Sequence, residues 1–514
     1  MSRIRTNTLA LTTAFFVTAV LYFVQLKILT NFMSREMVGA WTAVTSVAML
    51  LVPFAELGMP QVLVRYAAKY DAERRLARLR RLFHLGLWIY AAGLLAVCAL
   101  RAAVGPAVGR LLGGEVIGRG LLLLGFLAVA TGSLRALNNA CLRGLRKMPV
   151  MAMLEIGFGI LVTLGYFVFR HQLSVGAAFQ IFGVASLTVA VVGLTYQHRL
   201  FRSYATDPHD KEPVFKEVQH FWQGAASAGV FLIAIEHLYI PLLAAGLICL
   251  AQLAVFLIAS RLALFPPRLD YVPFQVMYPE VTHKWEGPRR HELARDMELF
   301  TKLILGLGLV MSVFLSVFAK PLMVLAANEE YLSGAPILWM FMAVLPIMSL
   351  HQPLVMFLRA TGSVWYAFAA EAMWLGLYLG VGSVLLRWFG LPGFVGGQLV
   401  SSTAVLIYTL ALLPRLNMPR PPVAFYVKRA LLSLVVWGAA MALGRLWPYG
   451  AVWQLALLGL GLALLGNFLV VRGGFLSAEE EERTIAMFAG RGRVGQIMTF
   501  LVRWPRFGAP RHAA

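Results

Sequence analysis

Four cations sit inside stretches that are otherwise apolar: Lys27, Arg135, Arg261 and Arg268. A charge at the centre of a bilayer costs about 2.5–3.5 kcal/mol on insertion scales, so each one needs a partner or a task. Arg261 lies about fourteen residues into its apolar run, about 21 Å deep at the rise of an α-helix, too far from either end to snorkel. It either lines an internal path or pairs with an acid. Lys27, Arg135 and Arg268 lie nearer the ends of their runs, where each lines the same path or reaches an interface.

The acids come in matched sets because the chain repeats itself. Leu142-Arg143-Gly144 through Glu155 recurs as Leu358-Arg359-Ala360 through Glu371, at a shift of 216. Arg170 and Gly176 match Arg387 and Gly393 at 217, Pro106 matches Pro321 at 215, and Pro53 and Glu56 match Pro267 and Asp270 at 214. A near-constant offset over this range means two homologous halves. Glu56, Asp270, Glu155 and Glu371 then have a structural role, in which each pairs with a cation and pins a helix end. The functional alternative is a gate whose ion pairs, Arg143 and Arg359 among them, break on opening. Glu236-His237 lies deep in a span, where it serves proton coupling or as a counter-ion, or forms a satisfied polar pair between helices. His351 is a lone histidine, expected to be hydrogen-bonded.

These residues need spanning helices to hold them. The 514 residues are 60% hydrophobic and 13% charged, with mean hydropathy +0.74. Soluble domains have about 45–50% apolar and about 25% charged residues, so this is an all-α polytopic membrane protein. Runs of about 20 apolar residues predict about fourteen helices: 8–30, 39–64, 82–104, 119–141, 150–170, 176–197, 219–243, 247–270, 299–320, 335–357, 364–387, 393–413, 429–447 and 451–472. The first is a retained helix, since Lys27 lies inside it and no small-residue cleavage site closes it. Pro53, Pro60, Pro241, Pro266, Pro267, Pro273, Pro346 and Pro353 fall within spans, and helices 2 and 8, with the densest set, are expected to bend.

The net charge of +21 is largely topology. Arg74, Arg75, Arg78, Arg80 and Arg81, then Lys147, Arg199, Lys284 and Arg415, fall in alternate loops, and the opposite loops hold few cations. The rich side is cytoplasmic by the positive-inside rule, with both termini on that side. Nucleic-acid binding, which needs a basic stripe on a soluble domain, is excluded. The shift maps helices 1–6 onto helices 7–12, and since six is even both halves enter the membrane in the same direction. Two pseudo-symmetric six-helix lobes follow, a parallel repeat with a transport path between them. The expected divisions are 1–218 for the N-terminal lobe, 219–428 for the C-terminal lobe, 429–472 for helices 13 and 14, and 473–514 for a cytoplasmic basic tail. In that tail Ser477 and Glu480 have capping-box spacing, which reads either as the start of an interfacial amphipathic helix or as part of a weakly ordered basic tail. Cys98, Cys141 and Cys249 fit no metal or disulfide spacing and read as small buried hydrophobes. No metal and no cofactor are expected.

Gly39-Ala40-Trp41, Glu56-Leu57-Gly58 and Arg65-Tyr66 before a basic loop resemble the second helix of polysaccharide flippases, in the multidrug/oligosaccharidyl-lipid/polysaccharide exporter superfamily. Leu142-Arg143-Gly144 resembles the family's fourth-to-fifth helix junction, and Asn328-Glu329-Glu330-Tyr331 before Ala335-Pro336-Ile337-Leu338 its ninth-to-tenth loop. The likeness runs from about residue 8 to 472; Leu242 to Leu250 departs from it, being wholly apolar where the family often has a polar turn. The resemblance implies alternating access around a central cavity. The cargo it implies is an anionic polyprenyl-diphosphate-linked oligosaccharide, moved from the cytoplasmic to the outer leaflet for cell-surface polysaccharide biosynthesis. On that footing Arg261, Lys27, Arg135 and Arg268 would face the cavity and bind the diphosphate, the arginines as bidentate forks. The implied setting is the bacterial cytoplasmic (inner) membrane of the cell envelope. Membrane lipids, a polysaccharide polymerase and glycosyltransferases are its implied partners, with the coupling ion left open between H+ and Na+.

A drug or ion antiporter of the same superfamily is the first rival; those typically have twelve helices, which argues against it. A membrane enzyme of polysaccharide assembly is the second. No outer loop here is long enough, or carries paired carboxylates or a nucleophile–base spacing, so no enzyme is expected. Phosphate-binding glycine loops are absent from the sequence, so ATP use is not expected either.

Overall fold

The computed structural model describes residues 2–72, 75–111, 119–145, 147–202, 214–219, 222–223, 247–267, 292–361, 363–416 and 422–446, with single positions between them. Among these residues the protein is helical, without strands. The helices are α1 (Ser2–Phe32), α2 (Arg35–Glu56), α3 (Met59–Ala72), α4 (Leu76–Leu111), α5 (Arg119–Gly144), α6 (Met148–Val168) and α7 (Val175–Arg202). They continue as α8 (Leu250–Ala263), α9 (Leu293–Val317), α10 (Ala319–Ala326), α11 (Ala335–Ala360), α12 (Val364–Arg415) and α13 (Val423–Leu446). Among the described residues ten helices are long and apolar enough to cross a membrane, as a multi-pass membrane protein requires. One of them, α12, is two helices joined at Gly390, whose φ of 65° is left-handed. The seventh and fourteenth expected spans lie almost wholly outside the described residues, as does the tail after 472.

The chain forms two compact units. The first comprises Met1–Leu257 together with Ala326–Asn328, and the second Ile258–Leu325 and Glu329–Ala514. The repeat read from the sequence is visible in the elements. A shift of 216 carries α5, Arg119–Gly144, onto α11, Ala335–Ala360, end for end. The same shift carries α4 onto α9 and α10 taken together. Each unit is built around the equivalent helix: α5 meets α2, α3, α4, α6 and α7 in the first, and α11 meets α9, α12 and α13 in the second. Helices elsewhere keep one face for lipid. On α7, Val184, Leu187, Val191 and Val192 are exposed, whereas Ala185, Ser186, Val189 and Ala190 are buried. That stripe recurs at helical spacing.

Local signals start and stop the helices. The Ser34 hydroxyl caps α2 by accepting from the Met37 amide at 3.3 Å, and Glu36 stands in the first turn, where the helix dipole favours an acid. Helix 2 then breaks, as its prolines suggested: Leu57 (φ 46°) and Gly58 (φ 69°) are both left-handed, and α3 starts afresh at Met59. A left-handed non-glycine residue costs about 1–2 kcal/mol. Helix 8 ends at Ala263, with a turn at Leu264 and helical residues again at 265–267. Pro346 and Pro353, by contrast, leave α11 unbroken. Pro346 cannot donate to the carbonyl of Met342, four residues earlier, and the Ser312 hydroxyl of α9 takes that carbonyl at 2.7 Å.

The thirteenth helix is stitched into the second unit. The Trp437 indole on α13 donates to the Trp339 carbonyl at 2.7 Å, and the Trp339 indole donates to the Ser316 carbonyl at 2.8 Å. Lys320 donates to the Arg445 carbonyl at 2.8 Å. The two halves of α12 meet through glycine: a Cβ at Gly397 would lie 2.4 Å from the Gly382 Cα, whereas one at Gly376 would meet nothing. Small residues let spanning helices approach this closely. Gly397→Leu should therefore lower the thermal midpoint of the detergent-purified protein by several degrees, consistent with the roughly 1–3 kcal/mol cost of overpacking. Gly376→Leu should leave it unchanged. Thermal unfolding followed by size-exclusion recovery distinguishes them.

Candidate functional site

Position along α5 decides what its polar residues touch. Ser133 is buried and lies near the Glu56 carboxyl of α2. Arg135 and Asn139, four apart, share the face toward α6. There the Arg135 guanidinium donates to Glu155 Oε2 and the Asn139 amide donates to Glu155 Oε1. The same guanidinium lies over the Phe158 ring, 4.0 Å from its centre, which adds a cation–π contact on the third side. Gln197 of α7 closes the neighbourhood by donating to the Asn138 carbonyl at 2.8 Å. Arg143, two turns further along α5, is exposed. Glu155 is thus held by a cation twenty residues before it, not by the one twelve before.

The second unit solves the same problem differently. Arg359 donates to Glu371 at 2.6 Å, the twelve-residue pair read in the sequence. The shift of 216 places His351 where the first unit has Arg135. Its ring is buried, and neither nitrogen has a hydrogen-bond partner among the described residues. An imidazole is too short to do what the Arg135 guanidinium does, so Glu371 takes its cation from the end of α11. The expectation that His351 is hydrogen-bonded is not met there.

The remaining expected site residues divide by location. Lys27 is half-buried, and its ammonium donates to the Ala327 carbonyl. Beside it the Asn328 amide donates to the Thr30 carbonyl at 3.0 Å. Arg261 is half-buried in the last turn of α8, next to the wholly buried run 253–260. Arg268, Asp270, Glu236 and His237 lie outside the described residues. Among the described residues no three His, Cys, Asp or Glu side chains gather as a metal would need.

One cluster has no counterpart in the sequence reading. Glu217 lies in the helical residues 214–219, after the sixth span. Its carboxylate accepts from Lys69 at 2.6 Å, from the Tyr70 hydroxyl at 2.9 Å and from Arg78 at 3.0 Å. The Tyr66 hydroxyl donates to its backbone carbonyl at 3.2 Å. Partial burial pushes the Glu217 carboxyl up, but the Lys69 and Tyr70 hydrogen bonds, the Lys69 charge and Arg78 together hold it below the usual range. Burial, then the hydrogen bond to Glu217, push the Tyr70 phenol up. The linker also carries Asp207, Asp210 and Glu212, and nothing in the sequence singles Glu217 out from them.

Two outcomes follow from these pairs. A depressed carboxyl stabilises the fold above its ordinary pKa and loses that contribution as pH falls through its lowered value. Amide exchange of residues 214–219 should therefore be slow at neutral pH and accelerate below about pH 4, after correction for intrinsic rates. The Arg135–Glu155 pair is the less exposed, with side chains 16% and 33% accessible against 40% and 35% for Arg359–Glu371. Glu155→Gln should cost about 1–3 kcal/mol and Glu371→Gln under about 1 kcal/mol. Equal shifts in thermal midpoint for the two variants would contradict this.

With that geometry in view, comparison with known proteins places the chain. The profile of a family described as "Polysaccharide biosynthesis protein" matches residues 4–279. No curated protein matches the chain. Among solved structures, "Lipid II flippase MurJ, inward closed conformation" is 15% identical with a TM-score of 0.64, covering 90% of this chain and 98% of its own. An inward-facing multidrug-resistance transporter of the MATE family, of the MOP superfamily, is 15% identical at TM-score 0.64, covering 78% and 95%. A point mutant of the Vibrio cholerae MATE transporter VcmN is 17% identical at TM-score 0.54, covering 80% and 98%. At these identities the likeness is one of fold. The family match extends over more than half of the sequence, and the protein accordingly belongs to the polysaccharide biosynthesis family.

Proposed function

We propose that the protein flips a polyprenyl-diphosphate-linked oligosaccharide from the cytoplasmic to the outer leaflet of the bacterial inner membrane, by alternating access, for cell-surface polysaccharide biosynthesis. Family membership across residues 4–279 is the observation that carries this. Two others support it. The flippase fold accounts for 90% of the chain and the MATE fold for 78%. The cations at Lys27, Arg135 and Arg261 are embedded in predominantly apolar spans. A diphosphate must leave water to cross, and cations that meet it offset its desolvation. Arg261, Lys27, Arg135 and Arg268 are the proposed contacts. Arg135 already holds Glu155, so an incoming diphosphate would compete with that carboxylate for one guanidinium. Glu56, Asp270, Glu236, His237, Arg143, Arg359 and Glu371 are the proposed coupling and gating groups, with H+ or Na+ as the ion. Lobes 1–218 and 219–428, helices 13 and 14 at 429–472 and the tail at 473–514 are the proposed divisions, with both termini cytoplasmic.

The full chain, reconstituted in phospholipid vesicles with a fluorescent short-chain polyprenyl-diphosphate oligosaccharide, should expose the inner-leaflet pool to an added glycosidase. Arg261→Ala, inserted normally, should slow this at least about tenfold, the loss of one charge-assisted contact. Undiminished flipping by that variant removes Arg261 from the mechanism. Transport of a cationic dye with no flipping would favour the antiporter.

A further inference from the structure

The residues that follow the sixth span fasten onto helix 2 at its break. Val214 and Val218 are buried among Tyr66, Tyr70, Leu79 and Phe83 of the first unit. Glu217 is gripped by Lys69, Tyr70 and Arg78, which lie on α3 and at the start of α4. Trp222 stacks edge-on against Phe215, with ring centres 5.7 Å apart. Its indole donates to the Leu57 carbonyl at 2.8 Å. Leu57 is the left-handed residue at which helix 2 stops.

That last bond discriminates between two shapes of helix 2. In a continuous helix the Leu57 carbonyl would point along the axis and accept from the amide of Gln61, four residues on. Here α2 ends at Glu56, Leu57 and Gly58 turn left-handed, and the carbonyl is presented sideways to Trp222. A contact made in one of two conformations shifts the equilibrium toward that one, by the amount of its differential free energy. The Glu217 clamp ties the same residues to α3 and the start of α4, beyond the break, so it holds Trp222 in place without itself resisting a change in α2.

We propose that residues 214–219 and Trp222 form a strap that holds helix 2 bent, with Glu217 as its latch and Trp222 as the group that senses the bend. Releasing the latch lets helix 2 straighten through Leu57 and Gly58. The strap joins the first repeat to the second, so the shape of helix 2 is set by the segment that leads into the seventh span. This device concerns helix 2 alone and holds whatever the protein carries.

The test uses the full chain in lipid nanodiscs, with Cys98, Cys141 and Cys249 replaced by Ser and spin labels at Glu36 and Asp71. Both positions are exposed, on either side of the break. A straight helix would separate their backbones by about 52 Å, at 1.5 Å per residue. The parent should give one shorter distance. Trp222→Phe keeps the ring and removes the donor; it should add a population approaching the straight-helix value. Glu217→Gln should do the same and raise amide exchange of residues 214–219 several-fold. Lys69→Met, a milder lesion at an exposed position, should give an intermediate shift. Faster exchange of the strap with an unchanged label distance would overturn the proposal. So would a distance distribution that no variant moves.

Discussion

A polar group inside an apolar slab must find its partner within the protein, because lipid offers none. Most of the architecture described above answers to that constraint. Pro346 leaves a carbonyl without its amide, and Ser312 on the next helix supplies a hydroxyl. Glu155 enters a span, and Arg135 and Asn139 meet both its oxygens. Lys27 carries an ammonium into helix 1 and directs it to a backbone carbonyl. The first two solutions each tie two helices together, so polar groups that are costly in lipid also fix which helices are neighbours.

The same constraint explains why the two halves of the repeat are alike in helices but not in side chains. α5 and α11 correspond end for end, since their length is set by the membrane and their faces by packing. The charge at position 135 and its absence at 351 are compensated separately within each unit. In the first, the carboxylate is held in the middle of α5 and Arg143 stays exposed. In the second, the pair migrates to the end of α11, where the arginine is more exposed. A duplicated bundle can diverge in this way as long as each carboxylate retains one arginine.

Hydropathy made the spans legible, and the near-constant offset made the repeat legible, because both depend on many residues at once. The Arg359–Glu371 pair was legible too: two consecutive helices with a short turn bring residues twelve apart together. The partner of Glu155 was not. Arg135 and Arg143 both lie within reach in sequence, and the choice between them depends on how α5 is rotated against α6. Glu217 was invisible for a plainer reason. Its partners Lys69, Tyr70 and Arg78 are about 140–150 residues away, and a glutamate in a polar linker looks like every other solvated acid. In α11, which carries two prolines without breaking, a neighbouring hydroxyl absorbs the consequence of Pro346.

The indole bonds that fasten α13 have a historical side. The Trp339 carbonyl that receives Trp437 lies inside a regular helix, where it already serves as a main-chain acceptor, so the incoming indole uses a second lone pair. A bundle lacking the thirteenth helix would therefore have left nothing unsatisfied at that position. Accretion of a further span onto an ancestral duplicate could begin from a complete protein, one tryptophan at a time, with no intermediate exposing a bare carbonyl to lipid.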